Sequence, residues 1–441
     1  MKWRDRSSSS PPSAADPGSK PAAPSLLASL DSPIFRAVWF ASLASNFGGL
    51  IQSVGASWMM TSIGSAGMVA LVQASVTLPI MLLSLPAGAL ADTFDRRKMM
   101  LAAQGFMLTV SVSLSLFAWL GWITPWVLLG FTFLIGCGAA MNGPAWQASV
   151  GEMVPRRDLA GAVALNSMGF NLARSVGPAV GGMIVAAAGA AAAFTVNAFT
   201  YTGLLFVLSR WNPERDVRTL PREGLGVAMW TGLRYAAMSG RIGSVLLRAL
   251  VFGFAASAVQ ALMPLVARDT MGGGPLVFGL LLGAFGAGAV GGAVLSTRLR
   301  SKMSNELIVR WSCVVFGVAT IALAFSNWLA AGMAALVFGG AAWVLALSTF
   351  NVTVQMSAPR WVVARALALY QMAAFGGMAL GSWTWGMIAE REGLLLTLCV
   401  AGAAQLLCAL IGLRVPLAST SGLNLDLIGA WTEPDLALSI E

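Results

Sequence analysis

LPAGALADTFDRRKMM, residues 85–100, closes one long apolar segment, crosses a short charged turn and opens the next apolar segment. Asp92, Asp95, Arg96, Arg97 and Lys98 fall within seven positions of one another. Charges at that density are too costly for hydrocarbon, so the turn lies at a water-facing membrane surface. Its three cations place that surface on the cytoplasmic side. Pro86 and Gly88, on the last turns of the first of these helices, predict a close approach by a neighbouring helix.

Working outward from this turn, composition fixes the class. The chain has 441 residues, 57% of them hydrophobic and 10% charged, with mean hydropathy +0.77. Those values are far from those of a soluble domain. Twelve apolar segments are legible, at 37–62, 66–91, 99–121, 125–150, 159–187, 190–209, 242–267, 273–296, 306–326, 328–354, 362–388 and 393–413. Most are long enough to cross a bilayer with some tilt. Starting inside, the basic residues at Arg96 to Lys98, Arg156 and Arg157, Arg210 to Arg241, Arg298 to Lys302, Arg360 and Arg365, and Arg414 all fall in even-numbered connections or the C-terminal tail. The opposite loops hold little besides Arg268 beside Asp269, and Arg391 between two glutamates. Strict alternation of this kind predicts an all-α membrane protein of twelve spans with both termini cytoplasmic.

The organisation follows. Residues 1–33 read as a disordered cytoplasmic tail, rich in Ser, Pro and Ala, with a weak short helix from Leu26 to Leu30. Residues 34–210 and 242–414 form two six-span bundles. Between them, 211–241 is a charged, proline-bearing linker in which Leu225 to Met238 has amphipathic spacing. Residues 415–441 are a second cytoplasmic tail. A weak internal repeat relates the bundles: VPRRDLAGA at Val154 matches APRWVVARA at Ala358, and at the same offset Gly177 and Gly182 fall over Gly381 and Gly386. Arg36 and Arg248 enter the first and seventh spans at comparable positions. Duplicated halves packed pseudo-symmetrically around a central cavity are the architecture such a repeat implies.

The spacing of Gly88, Leu90, Ala91, Asp92, Arg96 and Arg97 resembles the signature loop of major facilitator superfamily transporters. That resemblance implies an alternating-access transporter in which Gly88, Asp92, Arg96 and Arg97 serve as a conformational latch. Asp92 is expected to accept from arginines and from amides at the start of the eleventh helix. Gly177, Pro178, Gly181 and Gly182 resemble the GPxxGG element of exporters in that superfamily, although Ala173 and Arg174 stand where further glycines would be. The runs NGPAWQASVGEMVPRRDLAGA and NSMGFNLARSVGPAVGG are most similar to the branch containing enterobactin and macrolide exporters. Cavity lining by the first, fourth, seventh and tenth spans, which the resemblance implies, makes Asn46, Asn142, Gln147, Gln260, Asn351 and Gln355 candidates; interhelical bonding is the alternative for each.

Arg174 stands about halfway along the fifth span, on a face continuing through Ser167 and either Phe170 or Asn171. It is too deep to reach either surface easily. It is either fixed by Asn46 or by carbonyls freed at Pro178, or it is a cavity cation for an acidic or phenolic group. No span carries a clear central carboxylate, so proton coupling follows from the resemblance only. The chain contains no histidine, and Cys137, Cys313, Cys399 and Cys408 have no ligand spacing, which argues against an enzyme, a metal site or a cofactor. The net charge of +9 reflects cytoplasmic arginines rather than nucleic-acid binding. The expected partners are a small-molecule substrate, membrane lipid and protons, with the protein a monomer in a bacterial cytoplasmic membrane. Export of an amphipathic or anionic compound is the first reading; import of a sugar or organic acid on the same fold is the alternative.

Overall fold

The computed structural model describes residues 28–212, 239–358 and 362–417, leaving the side chains of Asp92 and Thr93 outside that description. Among the described residues, eleven helices are long and apolar enough to span a membrane. They run Pro33–Ile63, Ala66–Thr93, Arg96–Trp119, Pro125–Met153, Leu159–Arg210, Gly240–Leu265, Pro275–Arg300, Asn305–Ala324, Leu329–Ser357, Val363–Glu392 and Leu394–Arg414. The helix Leu159–Arg210 has 52 residues, or roughly 78 Å at 1.5 Å per residue, more than twice a hydrocarbon core of about 30 Å. It breaks at Gly189, whose φ of 79° takes the chain out of helical geometry, a conformation glycine adopts without a Cβ penalty. Its two limbs are the fifth and sixth spans, so the described residues hold the twelve that the hydropathy pattern predicts.

Local sequence explains the helix starts. Ser32, Asp95, Thr124 and Ser304 each accept from a backbone N–H three residues on, capping the first, third, fourth and ninth spans. Ser32 also donates to the carbonyl of Met153 (2.8 Å), pinning the chain's entry to the end of the fourth span. Just before it, Ala28–Asp31 makes a 3-10 turn with Ser29 buried, where the sequence suggests a short surface helix. Residues 1–27, the amphipathic stretch 225–238, Pro359 and Arg360 of the repeat, and 418–441 lie outside the described residues.

The pairing of helices repeats between the halves. The first span packs on the fifth–sixth helix, the second on the fourth, and the third on the fourth and the fifth–sixth helix. Correspondingly, the seventh packs on the eleventh and twelfth, the eighth on the tenth, and the ninth on the tenth and twelfth. The offset glycines occupy matching places. A Cβ on Gly177 would press on Leu50 of the first span, and one on Gly381 on Phe254 and Ser257 of the seventh. Gly182 faces the eighth span and Gly386 the second. Between halves, the second span packs on the eleventh and the fifth on the eighth. Small residues explain these crossings, since helices in lipid associate by close packing.

Candidate functional site

At the face of the molecule that carries few arginines, the two halves are bridged by side-chain contacts. Ser65, at the start of the second span, makes no side-chain cap of its own. Glu390, at the end of the eleventh, does that work instead: one carboxylate oxygen accepts from the Ser65 hydroxyl (2.9 Å) and from the Gly67 N–H (3.2 Å). An anion is thereby set at the positive end of a helix dipole. Arg268, after the seventh span, donates to the carbonyl of Thr61 in the last turn of the first span, setting a cation at a negative end. Asp269 holds that guanidinium by two oxygens, at 2.6 and 3.1 Å. Gly386 lies against Gly67 and Ala70, with room for no side chain. Along the same interface, Gln73 donates to Gln260 (3.3 Å), and Ser84 donates to the Ala368 carbonyl (3.5 Å).

The other crossing is a ladder of small residues. A Cβ on Gly182 would sit 2.6 Å from the Pro275 carbonyl, and Gly279, Gly283 and Gly286 face the carbonyls of Pro178, Ser175 and Arg174 in turn. The GPxxGG element thus serves two neighbours: Gly177 and Gly181 seat the first span, while Pro178 and Gly182 seat the eighth. Arg174 stands at the last rung. It is half-buried, its guanidinium carbon lies 6.0 Å from the centre of the Phe285 ring, and its side chain has no hydrogen bond among the described residues. The bonds to Asn46 or to freed carbonyls that a purely structural role would use are not made. Asn46 likewise bonds to nothing among the described residues, and it is half-buried on the first span. Toward the arginine-rich end, Val163, Ser167 and Phe170 continue the Arg174 face as exposed residues.

The remaining sequence candidates divide by environment. Gln147 is exposed and unbonded among the described residues, and the Asn142 side-chain carbonyl oxygen is buried without a partner there. Asn171 donates to its own helix at Ser167 (2.9 Å), and Gln355 donates to Asn351 one turn away (2.5 Å). Gln260 is taken by Gln73 across the interface. In the charged turn, Arg96 bonds Glu152 (2.6 Å) and the Ala148 carbonyl (3.1 Å), while Arg97 caps the sixth span at Leu208 (3.0 Å) and Ser209 (2.6 Å). Both arginines therefore brace the first half internally. The close neighbour expected at Gly88 is not there: a Cβ on that residue would meet open space.

A family profile described as a transmembrane secretion effector matches residues 24–441. The chain belongs to the major facilitator superfamily. Curated relatives of this transporter include an uncharacterized MFS-type transporter, YfiS, of Bacillus subtilis strain 168, 26% identical over 78% of this chain and 83% of that one. The multidrug efflux pump Tap of Mycobacterium tuberculosis H37Rv is 23% identical over 86% and 92%. The enterobactin exporter EntS of Salmonella typhimurium LT2 is 28% identical over 74% and 78%. A crystal structure of a mutant of the nucleoside transporter NupG shares the fold with a TM-score of 0.72 at 10% identity, covering 87% of this chain and 99% of that one.

Two clusters of the transporter are not legible in the sequence. The bridging residues Glu390 and Arg268 look like ordinary loop charges, because nothing local marks a partner more than two hundred positions away. Arg248 parallels Arg36 by position, yet Arg36 is exposed, whereas Arg248 is 4% exposed and ion-paired with Glu306. The same carboxylate accepts from the Leu417 N–H (2.9 Å), so the pair ties the seventh and ninth spans to the chain leaving the twelfth.

Proposed function

We propose that the transporter exports amphipathic small molecules bearing an acidic group, with Arg174 as the cation that holds that group. The observation carrying this reading is a half-buried guanidinium between the two halves that faces an aromatic ring and has no hydrogen-bond partner among the described residues. A cation so placed is costly in hydrocarbon unless water or an anionic ligand completes it. The relatives named as an efflux pump and an enterobactin exporter support the outward direction. In this reading the arginine-rich face and both termini are cytoplasmic, the membrane is the bacterial inner membrane, and the described conformation is shut toward the outside. The transporter works as a monomer. Protons are the coupling ion by superfamily resemblance. Gly88 and Asp92, with Arg96 and Arg97 behind them, latch the cytoplasmic side when the eleventh helix swings onto the space beside Gly88.

The test uses cells expressing the transporter or Arg174→Gln at equal surface level, loaded with an amphipathic acid or its neutral methyl ester. Wild type lowers steady-state accumulation of the acid, and Arg174→Gln loses about tenfold of that effect, the value of one charge-assisted hydrogen bond at the low end of its range. Equal export of every anionic compound by wild type and variant refutes the role of Arg174. Greater accumulation in expressing cells refutes export.

A further inference from the structure

We propose that the crevice between the eighth and ninth spans is a binding site for an anionic phospholipid, one acyl chain lying in the crevice and the phosphate at Arg298 and Lys302. The crevice follows from how the second half packs. Gly288 and Gly292 draw the eighth span against the backbone of the tenth at Val337 and Ala341. The ninth span leans the other way, where Gly317 meets the Gly402 carbonyl of the twelfth. The eighth and ninth spans, although consecutive, scarcely touch. A groove of about 360 Å³ is left between them, with the tenth span as its floor.

The chemistry of its walls selects the occupant. Leu299, Met303, Trp311, Val315, Phe338 and Leu345 line it, and its one polar side chain, Ser312, spends its hydroxyl on the Ile308 carbonyl (2.8 Å). A water molecule there would find no partners, so the groove takes hydrocarbon. It reaches the arginine-rich end, where Leu299 lines it in the last helical turn of the eighth span beside Arg298 and Met303 lines it next to Lys302. Both cations are exposed, and neither side chain has an ion pair or hydrogen bond among the described residues. The acid nearest in sequence, Glu306, is turned away into its buried pair with Arg248. Trp311 is 56% exposed at the groove's edge, as a side chain with one apolar and one polar end is at a membrane interface. An uncompensated pair of cations above a dry apolar slot matches a phosphate carried on an acyl chain.

The site is tested on the purified full-length transporter by native mass spectrometry, counting retained lipid after exposure to phosphatidylglycerol or phosphatidylcholine with identical chains. Wild type is expected to retain one phosphatidylglycerol more strongly than phosphatidylcholine. Arg298→Gln with Lys302→Gln, both on the surface, should weaken that retention by roughly thirtyfold while leaving phosphatidylcholine unchanged. Val315→Trp, which fills the slot, should lower retention of both lipids, and circular dichroism of the same sample shows that it is folded. Equal retention of the two lipids by wild type overturns the proposal. So does unchanged phosphatidylglycerol retention in the charge variant, or a dimer of transporters cross-linking through Trp311 and Phe338.

Discussion

Replacing Glu390 by alanine should open the arginine-poor face of the transporter. The carboxylate accepts two hydrogen bonds from the start of the second span, and in the described conformation it supplies the cap that Ser65 does not. Sheltered hydrogen bonds to a charged group contribute about 1.5–3 kcal/mol each. Glu390 is exposed, and exposed charge contacts fall to about 0.3–1 kcal/mol. Two bonds to one oxygen therefore hold the gate by about 0.6–2 kcal/mol, which shifts the ratio of shut to open molecules by roughly 3- to 30-fold. Spin labels at Ser62 and Glu392, both exposed at this end but on opposite halves, report the separation by pulsed electron resonance in a background lacking the four cysteines. Glu390→Ala should enlarge the long-distance population by that factor. Glu390→Gln should fall between, since its amide oxygen still accepts but carries no charge to the helix dipole. An unchanged distance distribution in Glu390→Ala refutes the reasoning, because it would mean that the remaining contacts, Arg268 on the Thr61 carbonyl and the glycine packing at Gly386 and Gly182, hold the face without it.

Two further outcomes follow from particular contacts. Gly182→Leu puts side-chain atoms where the Pro275 carbonyl and Gly279 already sit, so the variant should reach the membrane but lose transport, with the same spin labels reporting a separated face; normal transport would show that the fifth–eighth crossing yields. Gln405 on the twelfth span is fully buried, and both its amide atoms lack partners among the described residues. Gln405→Met removes about 1–3 kcal/mol of unmet hydrogen bonding at similar volume and should raise the thermal midpoint in detergent by a few degrees; a lower midpoint would mean that a bound water completes the amide.

Much of the architecture was legible because hydrophobic length and loop charge are one-dimensional properties. The apolar segments, the break between the fifth and sixth spans and the two-half repeat all lie in runs that a single chain displays, and the Gly177/Gly381 and Gly182/Gly386 offset marked true equivalent contacts. Arg174 was also visible, since a cation amid apolar residues stands out wherever it points. Which of its two readings applies was not visible. Sequence gives a helical face but not the partner opposite, and Asn46 proved to be no partner at all among the described residues.

Tertiary structure alone decided everything that depends on two distant segments meeting. The neutral polar residues looked alike in sequence, yet Gln260 is bound to Gln73 across the interface, whereas Gln147 is free among the described residues. Glu390 and Glu306 both stand at helix ends; one bonds the facing half and the other is the part-buried counter-ion of Arg248. The physical reason is the same in each case. Burial in a bilayer is set by a segment's own composition, whereas hydrogen bonds and ion pairs need a second group at about 3 Å, and the chain's fold, not its order, supplies that group.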